Sequence, residues 1–295
     1  MPELPEVETA ARNLRRWAVG RTIRRIATNG AARLFRPRSA RTATTLVDAQ
    51  IVDVTRIGKN LLLTLRRSDD ARAPRDQLGV WSHLGMTGKW LRRPTAEPAP
   101  RFARLSLALD DDRSLHYVDM RLFGRFQVIA GGRFSDVPEL AALGPDPLND
   151  GIDAGALHQR LQSVKTPIKV ALLDQTIVAG VGNIQASEAL FRARLDPRRP
   201  ARTLTLAEVR RLRQGILASI AFTLKRFADD GADSDAADIQ YVEEPGTPNP
   251  FLVYGRGGQP CPRRRPGRPG TIVRFVQAGR STFFCPACTL PPGAT

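Results

Sequence analysis

Two adjoining stretches, PEVETAARNLRRWA at residues 5–18 and TIRRIAT at residues 22–28, set the architecture, because the apolar period changes between them. In the first, Val7, Ala11, Leu14 and Trp17 or Ala18 recur at the three- and four-residue steps of an amphipathic helix. Pro5 suits the first turn of that helix, where its missing N–H costs nothing. From residue 21 to about 131 the chain breaks into short runs: Thr22–Thr28, Gln50–Thr55, Leu61–Arg66, Leu78–His83, Arg104–Leu109 and Phe126–Ala130. Turn signals separate them, with Asp110-Asp111-Asp112 inside an expected hairpin. One helix followed by many short strands predicts an N-terminal helix on a β-sandwich or barrel.

Further along, the chain turns helical. Thr205 and Glu208 have the spacing of a capping box, and Val209, Leu212, Ile216, Ile220 and Leu224 form one stripe after it. Residues 229–244 hold seven acidic side chains among Gly, Ser and Ala, which reads as a mobile loop. The tail returns to short strands with Gly, Pro and Cys. The expected class is α+β: a β domain over 1–131, a Gly/Pro/Asp-rich linker over 132–150, a helical domain over 151–250 and a small hairpin module over 251–295.

Composition narrows the partners. Hydrophobic residues make up 42% of the 295, enough for a substantial core. No run approaches the roughly 18 apolar residues of a membrane span. The opening MPELPEVE is acidic, unlike the basic start of a signal peptide, so a cytoplasmic protein is expected. Lys and Arg number 45 against 29 acids, a net charge of +16, which points to a polyanionic partner. A general preference for Arg in the source organism is the plainer alternative. The three cysteines, Cys261, Cys285 and Cys288, are odd in number and gathered at one end. That pattern suits a metal module, or the remains of one, better than a disulfide framework.

Pro2 carries a chemical possibility. Initiator Met is generally removed before a small second residue, which leaves a free secondary amine. An α-amino group titrates near about 8, so a usable fraction is neutral at physiological pH. Its attack on an aldehyde-level carbon yields an iminium ion, an electron sink for elimination. Glu3 beside it can shuttle protons, and Glu6 lies within reach through the first helical turn. The local alternative is that Pro2 and Pro5 start a helix and the acids cap its dipole.

Met1-Pro2-Glu3-Leu4-Pro5-Glu6-Val7-Glu8-Thr9 resembles the opening of the bacterial formamidopyrimidine-DNA glycosylases. The resemblance recurs at Gly58-Lys59-Asn60-Leu61, His83-Leu84-Gly85-Met86-Thr87-Gly88 and Asp119-Met120-Arg121-Leu122-Phe123-Gly124. It continues through Leu173-Asp174-Gln175, Gly180-Val181-Gly182-Asn183-Ile184 and Ala186-Ser187-Glu188-Ala189-Leu190-Phe191, and ends at Val253-Tyr254-Gly255-Arg256 and Arg280-Ser281-Thr282-Phe283-Phe284-Cys285. Leu4, where the pyrimidine-directed branch has Gly, favours the purine branch.

That likeness implies excision of oxidised purines from duplex DNA through a Pro2 iminium at the sugar C1′, then β,δ-elimination. Pro2, Glu3 and Lys59 are the implied catalytic set, with Lys59 touching phosphate and lowering the proline amine's pKa by like-charge repulsion. Met86, Arg121 and Phe123 are the implied wedge that fills the gap left by an extruded base, with Arg121 on the partner base. Residues 157–191 are the implied helix–two-turn–helix. There Asn183, helped by Lys169, would hold a phosphate, and Arg280 would grip another from the hairpin tip. Glu6 is placed with this DNA-contacting group. Bent DNA is expected in the cleft between the domains. For Met86 and Phe123 the bland alternative is core packing; for Lys59 and Arg280, ordinary surface charge. Glu188 is open between a site role and a packing role.

Two departures stand out. The family pattern is a tetrahedral zinc site of two Cys-x-x-Cys pairs. Cys285 and Cys288 keep one pair, but Arg264 stands where the partner of Cys261 belongs. Either a three-cysteine zinc site survives, or the hairpin folds without metal; structural zinc is doubtful, and catalysis needs no cofactor. Many members also have Tyr two places after the turn Asn, where Gln185 puts one phosphate contact in doubt. The acidic loop falls where the family covers the extruded base, and Ile239–Val242 would supply base-reading amides. A monomer acting at the nucleoid is implied only through the family. The rivals are a pyrimidine-lesion or abasic-site lyase and a non-catalytic binder of damaged DNA.

Overall fold

The computed structural model describes residues 2–29, 32–36, 41–67, 77–231, 246–263 and 269–293. Residues 232–244 of the acidic segment expected to be a loop, Ile239–Val242 among them, and Arg264 lie outside these residues; the segment's first residue, Asp229, ends a helix rather than opening a loop.

Helix α1 (Leu4–Ala18) starts one residue earlier than its periodicity suggests, with Glu3 as N-cap. Its buried stripe of Val7, Ala11, Leu14 and Trp17 matches the sequence pattern. Strands follow: β1 (Ile23–Thr28), β2 (Phe35–Arg36), β3 (Gln50–Ile57), β4 (Asn60–Arg66), β5 (Gln77–His83), β6 (Lys89–Pro94), β7 (Ala103–Leu109), β8 (Arg113–Val118) and β9 (Arg125–Ala130), with a single turn of helix, α2 (Arg41–Thr44), before β3. They form a four-stranded sheet in the order β1-β7-β8-β6 and a five-stranded sheet in the order β2-β9-β5-β4-β3. Ile23, Leu105, Leu107, Leu115 and Tyr117 of the first sheet share a core with Ile51, Leu61, Leu63, Val80 and Phe126 of the second and with α1. Each such side chain contributes about 1.5–3 kcal/mol of burial.

Strands β2, β6 and β8 were not foreseen from sequence. KWLRRP carries three cations and a proline, and RSLHYV mixes polar and apolar residues over a stretch buried on both faces, so neither shows the alternation of a half-buried strand. Pairing supplies what the pattern lacks: β8 lies between β7 and β6 and joins β7 through the expected Asp110–Asp112 turn.

Helices α3 (Pro138–Ala141), α4 (Ala154–Gln162), α5 (Ile168–Leu173), α6 (Asn183–Ala193) and α7 (Leu206–Asp229) precede the antiparallel hairpin of β10 (Val273–Gln277) and β11 (Arg280–Phe284). Thr205 and Glu208 close the anticipated box: the Thr205 N–H donates to Glu208 Oε2 at 2.8 Å, and the Glu208 N–H to Thr205 Oγ1 at 3.3 Å. Packing divides the chain into two compact units, Met1–Ala142 with Leu224–Glu244, and Leu143–Thr223 with Pro245–Thr295. This boundary falls inside the expected linker, which contains α3, and it groups the C-terminal hairpin with the helices.

Candidate functional site

At the start of α1, Glu3 and Glu6 are buried, 1% and 6% exposed. The Glu3 N–H donates to Glu6 Oε2 at 2.9 Å. Burial, and then the neighbouring Glu3 charge, push the Glu6 carboxyl up to about 7. Its placement goes against the expectation of a DNA contact: an inward-facing carboxyl that holds the helix N-cap is not placed to meet a phosphate.

Two residues on, Glu8 links the helix to the sheet. Burial alone would raise its carboxyl, but the hydrogen bond and charge of Arg56 hold it below its ordinary value. Arg56 Nε donates to Glu8 Oε2 at 2.7 Å, and its Nη1 donates to the Gly58 carbonyl at 3.0 Å. Gly58, at φ 57°, and Lys59 form the two-residue turn between β3 and β4, since Ile57 pairs with Asn60. The turn bearing Lys59 is thus tied through a buried guanidinium to the helix that begins beside Pro2. His83 pairs with Asn60 across β4 and β5. Burial, then the charges of Lys59 and Arg125, push His83 down to about 4, so it is neutral near pH 7.

Met86 and the Arg121–Phe123 segment sit on two loops locked together. Asp119, fully buried, accepts hydrogen bonds from Thr87 Oγ1 at 2.6 Å, the Arg121 N–H at 3.1 Å and the Gly124 N–H at 2.9 Å. A Cβ on Gly85 would come within 2.4 Å of the Phe123 carbonyl carbon, and one on Gly124 within 1.8 Å of Tyr117 Oη. Only glycine allows these approaches. Leu122 takes the left-handed backbone region at φ 56°, which presents Phe123 to solvent at 56% exposure. The Arg121 guanidinium lies 4.9 Å from the Phe123 ring centroid. Phe123 is therefore not a core residue, and Met86 is half-buried. Met120 is as exposed as Phe123, at 57%, and sequence reasoning missed it; its place beside the Arg121 block was the available signal. Asp119 was missed as a positioning group, because a lone Asp between Val and Met has no period.

In the second unit, Gln175 pins the glycine turn, donating to the Val181 carbonyl at 2.9 Å and accepting from the Gly180 N–H at 2.9 Å. Asn183 opens α6. Its Oδ1 accepts from Lys169 Nζ at 2.6 Å, and its Nδ2 donates to the Ser281 carbonyl at 3.0 Å. Lys169 is 1% exposed and also donates to the Ser281 carbonyl at 3.1 Å and Thr282 Oγ1 at 2.7 Å. The ammonium is an internal strut between turn and hairpin, joined to Asn183 and not open to a phosphate of its own. Gln185 is buried, donating to Thr223 Oγ1 at 3.1 Å and accepting from Ser219 at 2.6 Å. Glu188 resolves to packing, since its carboxylate accepts the N–H groups of Leu252, Val253 and Tyr254 at 2.8–3.1 Å. Arg280 is exposed beside the two-residue turn Ala278-Gly279, both at positive φ.

The sulfurs of Cys261, Cys285 and Cys288 lie within 4.8 Å of one another and are buried. They offer three of the four positions of a tetrahedral thiolate site, and no fourth ligand completes the set among the described residues. Phe191, Val253, Ile272 and Phe283 pack around them.

Comparison with known proteins assigns this arrangement. The family model for the formamidopyrimidine-DNA glycosylase N-terminal domain matches residues 1–126, and that for the formamidopyrimidine-DNA glycosylase H2TH domain matches residues 143–230. The formamidopyrimidine-DNA glycosylase of Thermus thermophilus is 39% identical over 98% of both chains. That of Rhodospirillum centenum is 40% identical over 97% of this chain and 99% of its own. The crystal structure of the Thermus thermophilus MutM (Fpg) protein superposes with a TM-score of 0.75 at 37% identity, covering 98% of each chain. The Lactococcus lactis Fpg, solved in complex with DNA containing an abasic site, reaches 0.81 at 28% identity over 98% of this chain and all of its own. On these matches, the chain belongs to the formamidopyrimidine-DNA glycosylase family.

Proposed function

We propose that this protein excises oxidised purines from duplex DNA and incises the strand at the resulting site, with Pro2 as nucleophile. The observation that carries the reading is the Glu8–Arg56–Gly58 relay, which fixes the Lys59 turn to the helix beginning at Pro2. The neutral Pro2 amine attacks C1′ and the glycosylic bond breaks. Elimination through the iminium then releases the 3′ and the 5′ phosphates. Lys59 disfavours protonation of the amine and meets a flanking phosphate. Glu3 moves protons at the sugar, and Glu6 holds it in place.

Arg121, Phe123 and Met86 fill the vacated stack. Asn183, at the start of α6, and Arg280, at the hairpin tip, take phosphates on the lesion strand. Lys169 acts through Asn183. No metal enters this chemistry. The three cysteines would hold a zinc ion by three thiolates, and its contribution would be to the fold of the hairpin. With Arg264 in the fourth place, the hairpin is read as resting on strand pairing and packing. No described helix is long and apolar enough to cross a membrane; the family resemblance supports a monomer acting in the cytoplasm.

Borohydride trapping on a duplex with 8-oxoguanine opposite cytosine tests the proposal, using protein verified to begin at Pro2. The expected result is a covalent adduct mapping to Pro2, with the glycosylase step lost in Pro2→Gly. Binding with neither adduct nor strand cleavage would replace the enzyme by a damage-binding protein. Trapping confined to oxidised pyrimidines or abasic sites would overturn the purine assignment.

A further inference from the structure

We propose that Asp119 and Thr87 form a clamp that makes the two inserting loops act as one body, and that this clamp sets how strictly the base opposite the lesion is read. The proposal rests on the glycosylase reading above.

The carboxylate of Asp119 is fully buried and takes hydrogen bonds from three uncharged groups, one on the Met86 loop and two on the Arg121–Phe123 loop. A buried carboxylate is costly unless its hydrogen bonds are complete, and here they join two loops separated by more than thirty residues. Both ends of the second loop are held, because the donors are the N–H groups of Arg121 and Gly124. The strained Leu122 lies between these two points, and the backbone contact of Gly85 with Phe123 closes the other side.

Arg121 rests on the Phe123 ring, so reader and wedge share one face. Met86 is adjacent to Thr87. A displacement of Met86 therefore passes through the Thr87 hydroxyl to the backbone from which Arg121 reaches the opposite base. Asp119 touches no nucleic acid in this scheme; it is a positioning residue.

Thr87→Val keeps the shape and removes the O–H donor, while Thr87→Ser keeps the donor. Two readouts apply to each: single-turnover excision of 8-oxoguanine opposite cytosine and opposite adenine, and affinity for a tetrahydrofuran abasic analogue opposite the same two bases. The clamp predicts that Thr87→Val loses about ten-fold of the cytosine-over-adenine preference, the worth of one hydrogen bond to a charged acceptor, and that Thr87→Ser restores it. It also predicts that Met86→Ala and Arg121→Ala are non-additive in the wild-type background and additive in Thr87→Val. A folded Thr87→Val protein that keeps both the preference and the coupling would overturn the proposal, as would a wild-type protein with no such preference in either assay. A wild-type protein that excises nothing but still discriminates in the binding assay would sink the glycosylase reading and leave the clamp standing.

Discussion

The loops carrying Met86 and Phe123 and the hairpin ending at Arg280 both present exposed side chains at the end of a rigid support, but they are fastened differently. In the loops, the fastenings meet at one hub: the buried Asp119 carboxylate with Thr87 beside it, one glycine against a backbone carbonyl and another against a tyrosine hydroxyl. In the hairpin, fastenings are duplicated. The β10–β11 ladder, the edge-on pairs Phe275–Phe284 and Tyr254–Phe283, the Lys169 ammonium and the thiol cluster all bear on the same short segment. A support with several fastenings tolerates the loss of one, which is the physical sense in which an arginine at position 264 is survivable. A support whose fastenings meet at one group does not.

The largest effect should come from Gly124→Ala. The added methyl would meet Tyr117 Oη and Asp119 Oδ2 within the buried hub, and a loss of about 3 kcal/mol is expected. A thermal melt within a degree or two of wild type would break the comparison at its strong end. Lys169→Met comes next. It orphans Asn183 Oδ1, takes one of the hydrogen bonds from Thr282 Oγ1 and should cost about 2 kcal/mol in urea unfolding, with a weaker hold on DNA. A smaller effect is expected from chelation or from Cys285→Ser, which should move the melting temperature by only about 3 °C and leave incision within a few-fold of wild type. Collapse of the hairpin on chelation, with stoichiometric zinc in the untreated protein, would show that three thiolates suffice for a metal-held support.

The smallest effect is in pH dependence, where Glu6 at the start of α1 and His83 near the Lys59 turn oppose each other. Glu6, raised to about 7, contributes stability that is present below its ordinary 4.5 and lost as pH rises toward 7. His83, lowered to about 4, contributes stability that is present above its ordinary 6.5 and lost as pH falls toward 4. The windows overlap, so these two terms largely cancel in the wild type. Glu6→Gln leaves His83 unopposed, and stability should then climb between pH 4 and 6.5. An unchanged profile would mean that Glu6 is ionised in the folded protein.

What was legible in the sequence was whatever repeats or stands as a local word. The stripe of α1, the Thr205–Glu208 box and the Asp110–Asp112 turn all appear where their spacing puts them. The motif blocks likewise carried the family. What escaped depends on distant partners. Lys169 in a basic chain reads as a phosphate contact, yet it donates to Ser281 and Thr282, 112 and 113 residues away on β11. Asp119 gains its meaning from Thr87, and Glu188 from three backbone amides more than sixty residues on. Strand β8 was hidden because its outward face carries Ser114 and His116, which are buried without being apolar.

Gln185 has a consequence of another kind. Its amide is satisfied inside the helical unit by Ser219 and Thr223, so this position offers no neutral hydroxyl to a phosphate. The hold on DNA then falls more heavily on cations, of which the chain has 45. Each phosphate neutralised by a cation releases condensed counterions, and affinity declines by a slope of about 0.9 per contact in log affinity against log salt. Lacking a neutral contact lowers affinity without changing that slope, so this protein should release DNA at a lower salt concentration than it would with a hydroxyl at this position.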